Sequence, residues 1–590
     1  MRESIHSLRE QAFSQHDGRD FDAAERGYRE VLQHVPDDIE IVHALGILTV
    51  QTGRFSEAAE LLTRVLGARE SAQVHVDLGN ALAGLSRSAE AILSYDHALA
   101  LEPTLVEALI NRGVLRRDGG CADAALADYD AALALQPGNV EAHINRAAAL
   151  SDLKRFEEAL QACERALSHQ PHRAEIWLYR ATLLLSLDRY PEALAGYDRA
   201  IMLRPDYAEA HAGRGAALQY LRRSAEALAS CDRAIAFAPR LATAHFNRGS
   251  ALRDLVRIAE SLESYETARA LQPEDPETNC NLGGLLLQTG DFERGWKLYE
   301  WRSRMPGAPQ VHRYPLPRWD GQANLSGRTL FTYLDQGMGD TIQFARYAKL
   351  AELRGATVVM AVQDNLRRLM STLSPTIRVI GQMEAPDTFD YHCPLASLPG
   401  AFGTTLDTIP ADVPYLSAEP GRIAQWGARL GAEGFKIGIC WQGSALKSGI
   451  GRSFPPGEFR RIAAIPGVRL ISLQQGVNDA QIRNLCPGMP IETLGNEFDA
   501  GADAFRDTAA VMESLDLVIT CDTATAHVAG ALGRPTWVLL KRVPDWRFLL
   551  DGDRNHWYPT MRVFRQEIDG RWEEVFDAVH REVSSRLKFG

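Results

Sequence analysis

Two stretches of the chain place a carboxylate where an apolar, β-branched run gives way to a helix. In the first, the run Thr329 to Tyr333 ends in LDQGMGDTIQFARY, residues 334–347, where Gly337 and Gly339 make the turn and Asp340 stands at its mouth. Strand, glycine turn and helix in that order bring backbone N–H groups and a positive helix end to one spot, which suits an anionic or polar ligand. In the second, LDLVITC (515–521) runs into Asp522-Thr523-Ala524-Thr525-Ala526-His527, and the helix begun there stops at Gly533. Hydroxyls and free N–H groups at a helix start are a ready phosphate site, and His527, one turn in, can donate to it. Both carboxylates also have a structural reading. Asp340 with Gln343 three residues on is a capping-box variant worth about 1 kcal/mol, and Asp522 is an N-cap at a strand end.

The elements that must position these residues follow from the pattern of the second half. From residue 328 short β-branched runs alternate with helical ones, as in parallel doubly wound sheets. Strands are expected near 328–334, 357–362, 377–381 and 389–393 in a first lobe of residues 326–420. A second lobe, 421–590, should hold strands near 436–441, 468–473, 515–521 and 536–540, and the break falls in IPADVPYLSAEP, 409–420. That topology turns Gln474 and Gln475, at the end of the 468 strand, toward the cleft. Two such lobes with no GxGxxG fingerprint point to the GT-B glycosyltransferase architecture before a dehydrogenase. Trp546, Phe548, Trp557 and Tyr558 cluster near the end, either as a wall for a base or sugar or as packing for the final helix, 571–588, across the lobes.

The first half repeats every 34 residues. Prolines recur at Pro103, Pro137, Pro171, Pro205, Pro239 and Pro273, and a small residue at Gly79, Gly113, Ala147, Ala181, Gly215, Gly249 and Gly283. Two looser copies centre on Ala12 and Gly46, giving about nine helix–turn–helix units over residues 1–304. The small residue lies where two helices approach closely, and the proline falls in the turn between units. In the same register Arg112, Arg146, Arg180, Arg214 and Arg248 are each followed eighteen residues on by Asp130, Glu164, Asp198, Asp232 and Glu266, which reads as an ion-pair ladder between helices. The array ends in GDFERGWKLYEWRSR, where Trp296, Tyr299 and Trp301 suggest a last helix that packs on the next domain. The Pro-rich linker 305–325 makes the crossing.

Composition narrows the function classes. At 590 residues the chain exceeds one core, and its formal charge of −12, without a Lys/Arg-rich run, disfavours a nucleic-acid partner. No apolar leader and no run of 18 apolar residues is present, so no membrane span is expected and the protein is placed in the cytoplasm. The eight cysteines form no CxxC pair and read as reduced thiols, with no metal site among them.

The 34-residue pattern resembles the tetratricopeptide repeat, whose units stack into a right-handed superhelix with a concave surface for a partner. DTATAHVAGALGRPTWVLL resembles the donor-site motif of bacterial heptosyltransferase-type glycosyltransferases, and GMGDTIQFAR the glycine-turn motif of their first lobe. The order of repeats, GDFERGWKLYEWR, DQGMGDTIQFARY, SLQQG, DTATAH and PDWRFLL is similar to bacterial tetratricopeptide-coupled glycosyltransferases, some of which modify flagellin. The fold this implies is an α-solenoid followed by a two-lobed α/β GT-B unit.

By that resemblance Asp340 is the catalytic base, and Gly337 and Gly339 form the acceptor-side turn. Asp522, Thr523, Ala524 and His527 would hold the donor phosphates. Arg452 in RSFP matches the family's basic residue before an aromatic-proline pair, with a surface salt bridge as its other reading. The loop SALKSGIGRSFPP lacks the Asn/Asp-rich sequence expected there, and Lys447 within it is a second candidate. Asp507 could reach a ribose hydroxyl or cap a helix. Asn111, Asn145, Asn247 and Asn281 match the phase that holds an extended acceptor backbone in related arrays; their other reading is repeat consensus. The implied activity is inverting transfer from a nucleotide sugar to a protein hydroxyl, with flagellin as the named acceptor and no metal or cofactor. Transfer to an envelope glycan or lipid, and a binding scaffold with an inactive lobe, are the alternatives.

Overall fold

The computed structural model describes residues 2–308, 314–443 and 451–589. They fall into two compact units, residues 1–251 and 252–590. The division lies inside the repeats, within the helix Ala242–Asp254, so the last repeat helices cluster with the α/β half.

In the first unit, helices from α1 (Arg2–Asp17) to α15 (Ala242–Asp254) follow one another as antiparallel pairs. Why the small position is small is plain at Gly113, where a β-carbon would come within 2.6 Å of the Tyr129 ring, and at Gly79, where it would meet Tyr95 at 2.5 Å. The core is segmented accordingly, with clusters around Tyr28, Tyr95 and Tyr129 that each bridge neighbouring pairs. The turn within each pair passes through the left-handed region once per repeat, at Ser86, Lys154, Asp188 and Arg222, with Gly53 and Gly120 in the same phase.

The arginine ladder exists, but its partners differ from those expected. Arg112 pairs with Asp96 at 2.5 Å, Arg146 with Asp130 at 2.6 Å, Arg180 with Glu164 at 3.2 Å, Arg214 with Asp198 at 2.7 Å and Arg248 with Asp232 at 2.8 Å. Each guanidinium meets the carboxylate sixteen residues before it, on the preceding repeat, instead of the one eighteen residues after. The carboxylates lie on the side of the second helix that faces the next unit, so the ladder joins repeats to each other. Such half-exposed pairs contribute about 0–1 kcal/mol each.

The second unit opens with α16 (Ile258–Leu271), α17 (Pro276–Gln288) and α18 (Phe292–Tyr299). The first α/β lobe holds β1 (Thr329–Tyr333), β2 (Thr357–Val362), β3 (Arg378–Gly381) and β4 (Tyr391–Pro394), parallel and ordered β3-β2-β1-β4. The second holds β5 (Phe435–Cys440), β6 (Val468–Ser472), β7 (Ile491–Glu492), β8 (Leu517–Cys521), β9 (Thr536–Leu540) and β10 (Met561–Arg565), parallel and ordered β10-β9-β8-β5-β6-β7. The eight expected strands are present. β7 and β10 were not expected: the first is two residues long, and the second, MRVFR, mixes two arginines with apolar residues at a sheet edge.

One apolar core runs from Leu287, Phe292 and Trp296 through Ile342 and Phe344 to Val528, Trp546 and Trp557, so α17, α18 and both lobes share it. Trp296 donates Nε1–H to the Thr404 carbonyl at 2.9 Å, and Gln288 donates Nε2–H to the Pro544 carbonyl at 2.8 Å. The last repeat helix therefore does pack on the lobes, through Trp296 and Tyr299, which meet the Trp546 ring edge-on. Trp301 instead carries the Arg304 guanidinium 4.2 Å from its ring centre. The linker residues from 314 on are docked: Trp319 is buried, its backbone N–H donates to the His392 carbonyl at 2.9 Å, and Tyr314 packs on Phe331 and Phe389. Trp546, Phe548, Trp557 and Tyr558 belong to the shared core and do not seat the final helix. That helix, Glu573–Phe589, lies on the outer face of the second sheet with Phe454, Phe459 and Trp537.

Candidate active site between the two lobes

β1 ends in the glycine turn and the helix Met338–Leu353; β8 ends in the helix Ala524–Ala531. The first turns of these helices meet. A β-carbon on Gly339 would lie 2.9 Å from Cδ2 of His527 and 3.6 Å from Cα of Ala524, so glycine is required for the approach. Two positive helix ends thus converge on one spot, from opposite lobes. Thr523, the N-cap of the second helix, makes no side-chain capping bond.

Asp340 is not the N-cap. Gly337 is, and Asp340 at the third helical position accepts the Gly337 N–H at 3.1 Å. Its other oxygen accepts from Arg547. Gln343, expected to complete a capping box, is fully buried and accepts Nε–H of Arg547 at 2.7 Å. Arg547 also pairs with Asp545 at 2.7 Å, Asp545 lies 3.6 Å from Arg452, and Arg452 lies 3.3 Å from Asp522. The result is an alternating chain, Asp340, Arg547, Asp545, Arg452, Asp522, that crosses from the first lobe to the second. Burial raises the Asp340 and Asp522 carboxyls above the usual range, against the pull of Arg547 and Arg452 respectively. Burial acts the same way on Asp545, but Arg547 and Arg452 outweigh it and hold that carboxyl low. His527 is pushed down to about 3, first by burial and then by Arg547, and is neutral at pH 7.

Other expected residues are placed as follows. Gln474 accepts the N–H groups of Trp441 at 3.2 Å and Gln442 at 2.9 Å, so it shapes the chain leaving β5. Lys447 lies outside the described residues. Asp507 is not free to take a ribose: one oxygen accepts Arg422 and Trp426 Nε1–H, the other the Asp499 N–H at 2.9 Å, which bolts the helix Pro420–Leu430 to the second lobe. In the first unit Asn111 donates to Asn80 at 2.9 Å and Asn247 to the Ala212 carbonyl at 3.0 Å, which leaves each amide oxygen as the group to offer a partner, while Asn145 is half-buried. In the second, Asn281 donates to the Glu277 carbonyl at 2.9 Å and accepts from Arg253.

Sequence reasoning missed Arg547, Asp545, Arg346 and Tyr415, and named Tyr558 only within an aromatic cluster. Arg346 is buried and donates to the Trp557 carbonyl at 2.6 Å and the Pro410 carbonyl at 2.9 Å, tying the lobes together. The signal for Arg547 was present in PDWRFLL: an acid and a base two residues apart among core aromatics must be paired when buried.

The fold and this cleft define a tetratricopeptide solenoid followed by two Rossmann-like lobes. Models of the tetratricopeptide repeat match residues 43–105, 120–183, 152–217, 212–276 and 246–300. Protein FlbA of Caulobacter vibrioides is 29% identical over 319 residues, covering 50% of this chain and 53% of FlbA, so the chain spans about half the length of the curated relative it matches. Among solved structures, MamA is 24% identical with a TM-score of 0.27, covering 30% of this chain and 96% of MamA. A tetratricopeptide repeat protein from Parabacteroides merdae is 18% identical with a TM-score of 0.35, covering 42% of this chain and 99% of its own. No helix among the described residues is long and apolar enough to cross a membrane.

Proposed function

We propose that the chain is an inverting glycosyltransferase that moves a sugar from a nucleotide donor to a hydroxyl of a protein captured by its repeats, with flagellin the first acceptor to test. The observation that carries this reading is the meeting of the two helix starts across the cleft, lined by Asp340, Arg452, Asp522 and His527. The acceptor hydroxyl gives its proton to Asp340 as its oxygen attacks the anomeric carbon. The nucleoside diphosphate leaves from the opposite face. Its growing charge is met by the N–H groups after Thr523 and by Arg452, so phosphate is stabilised by protein dipoles and a guanidinium without requiring a metal ion. The raised carboxyl of Asp340 suits a base that must be ionised yet reactive near neutrality.

One observation favours the scaffold alternative: both Asp340 oxygens already have partners, the Gly337 N–H and Arg547. The two readings separate on turnover. Wild type and Asp340→Asn are incubated with a panel of nucleotide sugars, and released nucleotide is measured beside the thermal midpoint of each protein. Transferase action is expected to give slow release by the wild type and at least a hundredfold less by a variant whose midpoint is unchanged. No release with any donor or acceptor supports the scaffold, whereas equal release by both proteins would mean that Asp340 is not the base.

A further inference from the structure

The hydrogen bonds behind His527 fix which of its nitrogens carries the proton. Tyr415 Oη lies 3.0 Å from the Ile342 carbonyl, which can only accept, so the single Tyr415 proton is spent there. Arg346 donates to the same Tyr415 oxygen at 3.1 Å. Tyr558 Oη lies 3.2 Å from Tyr415 Oη, and since Tyr415 has no second proton, Tyr558 must be the donor. Its one proton is then spent too. His527 Nδ1 lies 3.1 Å from Tyr558 Oη, so Nδ1 must carry a hydrogen and donate it. The relay runs one way, from imidazole through two phenols to a backbone carbonyl of the opposite lobe.

The neutral ring therefore has a bare Nε2. That nitrogen has no hydrogen-bond partner among the described residues, although His527 is only 6% exposed. It lies along the glycine turn: a β-carbon on Gly339 would be 3.5 Å away. The ring is buried but Nε2 itself is not sealed off, so an acceptor left unpaired by the protein, beside the meeting point of two helix starts, is open to a donor from the cleft.

We infer that His527 serves the cleft as a hydrogen-bond acceptor, taking a ligand hydroxyl on Nε2, and not as a donor to phosphate. The role of ligand rests on the proposed transfer reaction; the tautomer does not. In that reaction the hydroxyl belongs either to the transferred sugar or to the protein acceptor, and His527 positions it. Charged and titratable groups facing the ring come from several elements: Arg346 on the first-lobe helix, Arg547 and Asp545 from the turn after β9, Arg452 after β5, and Tyr558.

The test is nitrogen NMR of the full chain labelled with ¹⁵N-histidine, with the His527 signals assigned by their loss in His527→Gln. A proton on Nδ1 and a bare Nε2 are expected from pH 5 to 9. A proton on Nε2, or a doubly protonated ring at pH 7, overturns the inference. Folded Tyr415→Phe should free Tyr558 to donate to Nδ1 and move the proton to Nε2; an unchanged tautomer there means the relay does not set it. Should that variant fail to fold, the wild-type signals alone decide the point. Inorganic pyrophosphate should leave Nε2 bare, whereas protonation on its addition makes His527 a phosphate donor. With purified flagellin, a shift of the still bare Nε2 marks an acceptor hydroxyl; with a mixture of UDP-N-acetylglucosamine, GDP-mannose and CMP-sialic acid, it marks a sugar hydroxyl. Movement with neither overturns the ligand role while leaving turnover by Asp340 to be judged separately.

Discussion

His527 shows how a single residue type is redirected by what surrounds it. In the sequence it reads as a donor one turn into a phosphate-binding helix. In the fold, burial and the nearby Arg547 hold it neutral, with its titration moved from 6.5 to about 3. The consequence for stability has a definite sign. Below pH 6.5 the unfolded chain takes up a proton at this position that the native chain refuses until about pH 3, so native stability falls as pH drops through that window and is unaffected above it. Wild type is therefore expected to lose about 2 kcal/mol more than His527→Gln between pH 7 and pH 5, compared by urea unfolding of the α/β half. Equal losses would mean the histidine charges normally in the fold. Asp340 and Asp522 could be singled out because each follows a punctuated strand end, and Arg452 only through the resemblance of RSFP to a family motif. Arg547 was not singled out, and Tyr558 was named only as one of four clustered aromatics, since a sequence does not say which residues among core aromatics reach across to another lobe.

At the scale of elements, periodicity carried nearly everything. The 34-residue spacing located the repeat helices, and β-branched runs located eight of the ten strands. What it could not resolve was direction: a carboxylate sixteen residues before an arginine and one eighteen residues after it are equivalent on a repeating string. Only packing decides between them. The turn inside each repeat holds another element-level detail, a left-handed residue filled by glycine in some repeats and by Val256 in one, at φ 62° and 39% exposed. A β-branched side chain pays roughly 1–2 kcal/mol for that conformation, of which glycine's greater chain entropy returns roughly half. Val256→Gly should therefore raise stability by about 0.5–1 kcal/mol with the Val256 N–H bond to Arg253 kept. A fall in the unfolding midpoint would show that the valine side chain earns its place by packing.

At the scale of the whole molecule, the boundary expected at residue 304 is not where the compact units divide. The reason is the composition of α18 and the turn after it. Arg302, buried between the last repeat and β1, donates to Asp335 at 2.6 Å and Ser397 at 2.6 Å, while Glu300 accepts from Arg302 at 3.0 Å. Breaking a buried pair of this kind costs roughly 3–5 kcal/mol, so residues 252–304 and the lobes behave as one body. The sequence hinted at this in its tryptophans but gave no sign of the arginine bolt, because one Arg in an Arg-rich array looks like any other. The account as a whole stands on sugar transfer to a protein by the cleft at Asp340. It is tested most directly by co-expressing the full chain, wild type or Asp340→Asn, with flagellin and the host's sugar-nucleotide pathway, and recording intact flagellin masses. A sugar-sized increment with the wild type alone is the expected result, and its mass names the sugar. An increment of equal yield with Asp340→Asn, or flagellin that binds residues 1–590 yet gains no mass with any donor supplied, would contradict it.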